Sequence, residues 1–565
     1  MSLFSAIQQS STAMAVSQLG LQVVGNNVAN INTPGYIRQE LVQSAAHGYR
    51  TGGVILGQGV QPLGVRQQID YFLVDRLRET QSQLSYQEAV VVGLQQLQDA
   101  MNELGENDIS SALSRFNNSM QDIANNPQSL SIRSLAVQRG EELAHALNSL
   151  RDKTDMLAQE ATAEVEGVGQ EINKLVNGIA KLNLQIVDVE GGRTLASDAV
   201  GLREERLQQL SALSELVDIQ ATEQANGSVT VLVGGDYLVS AGLVREVEVT
   251  LTDDDVNPTE IRMADTDAAL NVTGGKLRGL YERRTAITGD FATKLDAFAR
   301  GLINTVNRIH SQGQSSDALR SAVGTTQLTN LTGPLEQSAK DLSIDNGAFN
   351  ITIRDASTNI EKTHRIDVRQ LGDAGDTTAA SLIAQIDAVS GLNASVGGDG
   401  RLRLESESPS VSFYFSEDSS GALASLGVNT FFAGSDAATI AVRSEIKADT
   451  RMIAISRGGP GNGADNALAL ADAFLQPQST LDGLNLRESY EDLVARTTQH
   501  IDSQETITQG LENYRNSLQA RHLGITGVSL DEEAARLMQY QRAYQASARV
   551  IAAANELLDT LVNLV

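Results

Sequence analysis

A chain of 565 residues with 41% apolar side chains, 4% aromatic ones and no Trp is too long for one hydrophobic core, and its several cores must be aliphatic. Its 43 basic residues against 70 acidic ones give a net charge of −27, which argues against nucleic acid and anionic membrane surfaces as partners. The absence of cysteine excludes disulfides, thiolate catalysis and Cys-based zinc sites.

In chain order, the first signal is an apolar row seven residues apart, Ile7, Met14, Leu21 and Val28, which predicts an N-terminal helix with a narrow stripe. The first basic residue is Arg38, so no charged n-region of a secretory signal peptide is expected. No apolar run reaches the roughly 20 residues of a membrane span. The helix is expected to end in "NNVANINTPGY" (26–36). Pro34 fixes its own φ and drives Thr33 out of helical space, Gly35 permits a positive φ, and Tyr36 follows the turn. Asn26, Asn27, Asn30 and Asn32 supply amides for backbone groups that the ending helix releases.

Residues 76–125, 129–188 and 201–217 read as helices. The stretches 227–240 and 244–251 alternate apolar and polar residues between Gly turns, which predicts hairpins. Helix returns at 279–311. Strands are expected at 349–355, 364–370, 392–406 and 410–417, with a turn at Gly397–Gly400 and a short helix at 378–389. After a Gly-rich loop (458–463) the chain is helical again to about 522. The last helix is predicted from Val528 to Val565, about 57 Å long. Leu530, Leu537, Tyr544, Ile551, Leu558 and Val565 are each seven apart along it. Ser529 and Glu532 form a candidate capping box, and Asp531, Glu532 and Glu533 suit the positive end of the helix dipole.

Two narrow-striped helices at opposite ends of one chain predict a coiled-coil pairing of the termini. The expected fold class is α+β and multidomain: a helical rod built from both termini with β-rich domains inserted into it. The expected boundaries are a terminal coiled-coil domain (1–45 plus 525–565), a helical bundle (46–217, 281–318 and 446–524), a small β insert (218–280) and a larger β-rich insert (319–445) with a strand–helix–hairpin module. Burying six seam residues yields about 9–18 kcal/mol. Ordering the last helix costs about 40–75 kcal/mol of backbone entropy. Residues 1–45 and 525–565 are therefore expected to be poorly ordered in a lone copy and to gain their helical form on assembly.

Signals for chemistry are weak. His47, His145, His310, His364, His500 and His522 show no metal-ligand spacing and read as surface residues. "DDDVNP" (253–258) lacks the Gly and the final Glu of a calcium loop and reads as a charged turn. "RGGPGNGADN" (457–466) has no following Lys-Ser/Thr, and Asp465 reads as a helix N-cap. No catalytic, cofactor-binding or metal-binding residue is assigned, and the chain is expected to be non-catalytic.

"GNNVANINTPGYIRQ" (25–39) resembles the N-terminal signature of the bacterial flagellar axial proteins, the rod, hook and hook-associated subunits. "GVSLDEEAARLMQYQRAYQASARVIAAANELLDTL" (527–561) resembles the terminal helix of the same family. Its Leu-Asp-Glu-Glu-Ala-Ala opening favours the first hook-associated junction subunit over rod and hook subunits. Segments 274–284, 424–442 and 466–472 resemble that subunit too, and 349–406 resembles a module of hook-associated proteins and flagellins. "GGPGNGADN" looks longer than the family's usual loop. The resemblance implies a structural adaptor that assembles as a ring on the distal end of the hook, outside the cell, and joins hook to filament. It also implies export unfolded through the flagellar type III system, without a cleaved signal. The implied partners are hook protein below, hook-associated protein 3 above, copies of itself alongside, and a cytoplasmic export chaperone on the C-terminal helix. Under that reading Asn26, Asn27, Asn30, Asn32, Thr33, Pro34, Gly35 and Tyr36 form an assembly-interface motif. Its neutral amides bond either across subunits in a tube wall or within the chain as caps.

Overall fold

The N-terminal stripe folds as α1 (Leu3–Ala29), followed by strands β1 (Gln39–Ala45), β2 (Tyr49–Thr51), β3 (Val54–Leu56) and β4 (Val60–Gln67). The long polar–apolar segments give α2 (Tyr71–Met101), α3 (Ile109–Asn125), α4 (Leu130–Val189) and α5 (Val200–Leu216). Strands β5 (Gln220–Glu223), β6 (Val229–Val233), β7 (Asp236–Ser240), β8 (Leu243–Val244), β9 (Val247–Leu251) and β10 (Thr259–Met263) come next, then α6 (Gly275–Arg284), a π-helical turn (Thr285–Ala292) and α7 (Thr293–His310). The second β-rich stretch holds β11 (Ser321–Gln327), β12 (Gly347–Asp355), β13 (Ile360–Val368), α8 (Ala379–Asp387), β14 (Leu392–Val396), β15 (Arg401–Ser406) and β16 (Val411–Ser416). The chain ends with α9 (Ala422–Ser425), β17 (Phe432–Ala433), β18 (Ala441–Val442), α10 (Ser444–Ala448), α11 (Asp465–Ala473), α12 (Leu486–Thr526) and α13 (Leu530–Val562). This is a computed structural model, and it describes all residues except 1–2, 52–53, 102–107, 192–198, 253, 255–257, 340–341, 374, 462 and 563–565. The predicted seam residue Val565 and most of the charged turn at 253–258 lie outside the described residues. The fold class is α+β and multidomain, with several small sheets among long helices.

Contacts divide the chain into two compact units. The first comprises Met1–Val92, Glu160–Arg284 and Asp502–Val565. Its core forms where an α4 face carrying Val165, Val168, Ile172, Val176 and Ile179 packs with the strands. The spacing of three and four keeps those side chains on one side of the helix. In β6 the alternation places Val229, Val231 and Val233 inward, and in β10 Thr259, Ile261 and Met263. The sheet order is β5-β6-β7-β8, with β9 and β10 paired separately. The same unit buries a charged cluster. Arg203 Nε donates to Glu190 Oε1 at 2.7 Å, and Arg206 Nη1 donates to Asn183 Oδ1 (2.9 Å) and Gly227 O (2.7 Å). Burial pulls Arg206 down to about 10.

The second unit comprises Gly93–Gln159 and Thr285–Ile501 and holds two apolar clusters. In the helical one, α3 turns Ile109, Ala112, Leu113, Phe116, Met120 and Ile123 inward, and Asp108 caps it by accepting from Ser111 N at 2.6 Å. Phe116 meets Phe431, Phe432 and Phe474 with ring centroids 5.4, 5.6 and 5.7 Å apart. The β-rich cluster lies between the sheets β13-β12-β16 and β11-β15-β14, with α8 held by a Thr378–Ser381 capping box. Helix α11 starts at Asp465 itself, so Asp465 sits in the first turn rather than at the cap. Asn466 does the local work instead, donating to Ala454 O at 2.6 Å.

His310 departs from the surface placement expected of it. It is 1% exposed, its Nδ1 donates to Asn429 O (2.8 Å), and its Nε2 accepts from Ala454 N (3.0 Å). Burial is the main cause that lowers its pKa from 6.5 to about 4. The unfolded chain protonates this ring near 6.5 and the folded one only near 4, so its contribution is complete above 6.5 and is lost as the pH falls toward 4. About 3 kcal/mol is at stake. Urea unfolding of the wild type and of His310→Gln across that window checks this. The wild type is expected to show the steeper loss, and equal slopes would refute it.

Candidate functional site

The Asn-rich motif, the turn behind it and the first turn of α13 meet in one polar joint within the first unit. Asn27 is its centre. It is fully buried and all its hydrogen-bonding capacity is used. Its Oδ1 accepts from Gln39 N (2.9 Å) and from the Tyr36 hydroxyl (2.8 Å), and its Nδ2 donates to Gln39 O (2.9 Å) and Glu533 Oε2 (3.1 Å). The pair of bonds to Gln39 treats the side-chain amide as a strand residue and fixes where β1 leaves the turn.

The turn is built as its residues dictate. Asn30 Nδ2 donates to Asn26 O and Oδ1, both at 3.0 Å, and Thr33 Oγ1 donates to Asn30 Oδ1 at 3.2 Å. Gly35 has φ 77°, a conformation that favours glycine, and the tip of the Gln208 side chain lies against it. Ile37 N then donates to Glu204 Oε1 (3.0 Å) and Arg38 N to Thr526 O (2.9 Å), which ties the turn to α5 and to the end of α12.

Arg38 is the cation of the joint. Its Nε donates to Glu533 Oε1 at 2.8 Å and its Nη1 donates to Glu532. The side chains of Arg38 and Glu533 are 6% and 0% exposed, whereas that of Glu532 is 62% exposed. Burial opposes the Arg38 charge, but the two carboxylates outweigh it and raise its pKa above the usual guanidinium value. Burial, reinforced by Glu204 and Glu533, pushes the Tyr36 hydroxyl up to about 12. The joint is therefore built around a buried ion pair of Arg38 and Glu533.

Along the helices, α1 and α13 run antiparallel. Asn27 reaches Glu533, and seven residues toward the N-terminus Gly20 lies beneath Tyr540, seven residues on from Glu533. The residues buried on α1 are Ser10, Val16, Ser17, Gly20, Val24 and Asn27, and on α13 Glu533 and Ala554. The predicted apolar row flanks this line: Ile7, Met14 and Leu21 are half-buried, as are Leu537, Ile551 and Leu558, while Val28, Leu530 and Tyr544 are exposed. Of the motif, Asn27 and Tyr36 are turned inward. Asn26, Asn32, Thr33, Pro34 and Gly35 are exposed and Asn30 is half-buried. The charged partners Arg38, Glu532 and Glu533 complete the joint, whereas the sequence pointed to Glu532 and Glu533 only as residues of the first turn of the last helix. Their signal was present, since Arg38 is the first charge in the chain and 531–533 is a run of three acids. Among the described residues no group of three or more His, Asp or Glu is placed to hold a metal ion, and no helix is long and apolar enough to cross a membrane.

Comparison with known proteins places this geometry. Residues 94–324 match the family "Flagellar hook-associated protein FlgK helical domain". The two ends that meet in the joint match separate families, residues 7–36 "Flagella basal body rod protein" and residues 519–564 "Flagellar basal body rod FlgEFG protein C-terminal". The chain is 25% identical to flagellar hook-associated protein 1 of Bacillus subtilis (strain 168), covering 100% of this chain and 98% of that one. It is 24% identical to the proteins of the same name from Salmonella typhimurium and Escherichia coli K12, covering 99% of this chain and 100% of each of those. A solved structure described as that of the flagellar hook junction protein FlgK from Burkholderia pseudomallei aligns with TM-score 0.52 and 16% identity over 80% of this chain and 100% of that one, which shows a shared fold.

Proposed function

We propose that the chain is a flagellar hook-associated protein 1, the adaptor joining hook to filament in the bacterial flagellum, as its full-length similarity to proteins of that name supports. In this reading it assembles as a ring at the distal end of the hook, with hook protein below, hook-associated protein 3 above and its own copies alongside. It leaves the cell through the flagellar type III route, held before export by a chaperone on α13. It performs no chemistry and engages neither nucleic acid nor membrane.

The observation that carries this reading is the joining of the two rod-type ends, 7–36 and 519–564, by Asn27, Arg38 and Glu533. A segment built that way puts both termini in one place, available to a tube of like segments. The exposed motif residues Asn26, Asn32, Thr33 and Pro34, with Asn30 beside them, are the ones assigned to neighbouring subunits, because neutral amides lose little when water leaves a polar contact that stays hydrogen-bonded. Asn27 and Tyr36 serve the same interface from within, by holding the turn. The terminal coiled-coil domain, 1–45 with 525–565, is assigned the contact with hook protein.

Deleting residues 525–565 tests the assignment. Cells carrying the truncated chain are expected to build hooks and to shed filament subunits unattached while the truncated protein is still made. Filaments attached in normal number would overturn the junction role. An activity housed in the inserts, by contrast, would survive the deletion.

A further inference from the structure

A cleft of about 470 Å³ opens in the first unit between helix α2 and strand β5, within the usual size range of ligand pockets. One wall is the α2 face carrying Asp75, Arg78, Glu79 and Ser82. The other is the run Asp218–Thr222, which leads into β5, with Thr273 beside it. Two buried groups on the helix wall have unmet hydrogen-bonding capacity. The Arg78 side chain is 10% exposed; its Nη2 donates to Asp75, while its Nη1 is buried with no partner. Ser82 is 2% exposed, and its Oγ is likewise buried with no partner. Buried polar groups are nearly always paired, so an orphan N–H donor and an orphan hydroxyl on one wall mark a place where an acceptor belongs.

The opposite wall offers a free sheet edge. Strand β5 is the outermost of the order β5-β6-β7-β8, and among the described residues no strand pairs with its far side. Such an edge presents a row of unpaired N–H and C=O groups. Ile219 and Ala221 turn toward the apolar cluster, which leaves Gln220 and Thr222 exposed on the other face. The charge of the cleft is negative, with three acids against one Arg. Asp75 and Glu79 are solvent-exposed. Asp218 accepts from Thr273 N (2.9 Å), Thr273 Oγ1 (2.6 Å) and Gly274 N (3.2 Å), and no Lys or Arg pairs with it among the described residues. The acids are not placed to hold a metal ion, so the cation that suits them is an organic one.

We infer that this cleft takes an extended, Lys- or Arg-bearing segment of a partner protein, added as a strand to the free edge of β5. The backbone of the segment pairs with β5. One of its oxygens accepts from Arg78 Nη1 and Ser82 Oγ, and its cation meets Asp218 and Glu79. The wall run Asp218–Thr222 spans about 17 Å when extended, the reach of a peptide strand rather than of a compact small molecule. The site shares no residue with the joint of the chain ends and does not depend on the junction reading.

The test uses the full-length protein and an N-acetylated, fluorescently labelled peptide of about eight alternating Lys and Val residues. Anisotropy is expected to show saturable binding at low salt, weakened at least five-fold by Glu79→Lys, a change at an exposed position that leaves the fold intact. The same peptide methylated at every backbone nitrogen keeps its charge and loses its N–H donors, and is expected to bind at least ten-fold more weakly. Amide exchange is expected to show added protection in Gln220–Glu223 when the unmethylated peptide is bound. Absence of saturable binding would overturn the inference. So would equal binding of the methylated peptide, which would leave only attraction between opposite charges, and so would binding that leaves exchange in β5 unchanged.

Discussion

Replacing Arg38 by Met is expected to open the joint between the chain ends while leaving the apolar cores of both units folded. Glu533 is 0% exposed and its counter-ion is Arg38. Removing that guanidinium strands a carboxylate that water cannot reach, and breaking a buried pair from one side costs about 3–5 kcal/mol. The loss falls on a local segment, because the joint is held by polar bonds and lies outside the apolar cluster of its unit. Amide exchange is the measurement. Protection is expected to collapse in α13 from Leu530 through Tyr540 and in the last turns of α1, with that of Ile172 and Val231 unchanged. The double variant Arg38→Met with Glu533→Gln is expected to recover much of the loss, because it leaves no unpaired charge behind. An Arg38→Met protein with native protection at both helix ends would refute the account. The same variant is expected to assemble poorly, since Asn27 shares the Glu533 carboxylate and sets the exit of β1.

Much of the secondary structure was legible because it rests on periodicity. The 60-residue α4 and the strands β6 and β12 carry it plainly. The β1–β4 hairpin was not legible. Its partner strand holds Pro62 and Gly64, its ladder has a register shift between Val42 and Gln43, and its alternation is masked by Gln and Ser. Strand β11, "SAVGTTQ", is quiet for the same reason. His310 was legible in principle: it lies four residues after Val306 on the buried stripe of α7, so the helix phase places it inside, yet residue type suggested the surface. The polar joint could not be read from the sequence. Asn27 and Glu533 are 506 positions apart, and single polar contacts leave no periodic trace. Even the resemblance to axial proteins, which pointed to the Asn motif, did not show that one asparagine turns inward while its neighbours stay exposed.

The line along which α1 meets α13 shows why an apolar heptad was a partial guide. Two helices that approach closely place their smallest residues at the centre and push larger ones to the sides. Along that line the small residues Ser10, Ser17 and Gly20 on α1 and Ala554 on α13 are buried together with Val16, Val24, Asn27 and Glu533, and the predicted apolar rows flank them. A seam of that kind buries little apolar area, so the polar joint of Asn27, Arg38 and Glu533 carries much of what holds the two ends together.

Gly20→Ala puts the closeness of that approach to a direct test, because two effects of opposite sign compete. In an isolated helix the change stabilises by about 1 kcal/mol. At this position the new Cβ would lie 2.5 Å from Tyr540 Cε1 and 2.6 Å from its Cζ, a clash with the body of a ring rather than with a flexible tip. Overpacking of this kind costs about 1–3 kcal/mol, enough to outweigh the gain in propensity. The expected result is lower protection of the amides around Ser17, Val24 and Tyr540, by up to about 30-fold for a net loss of 2 kcal/mol. Gly20→Ala combined with Tyr540→Ala removes the ring and leaves the better helix former, so the coupling between the two changes should be favourable by 1 kcal/mol or more. Higher protection in Gly20→Ala alone would mean that propensity decides and that the two ends do not touch at this register. The antiparallel pairing inferred from Asn27–Glu533 and Gly20–Tyr540 would then fail, and the polar joint would stand without the helix contact that extends it.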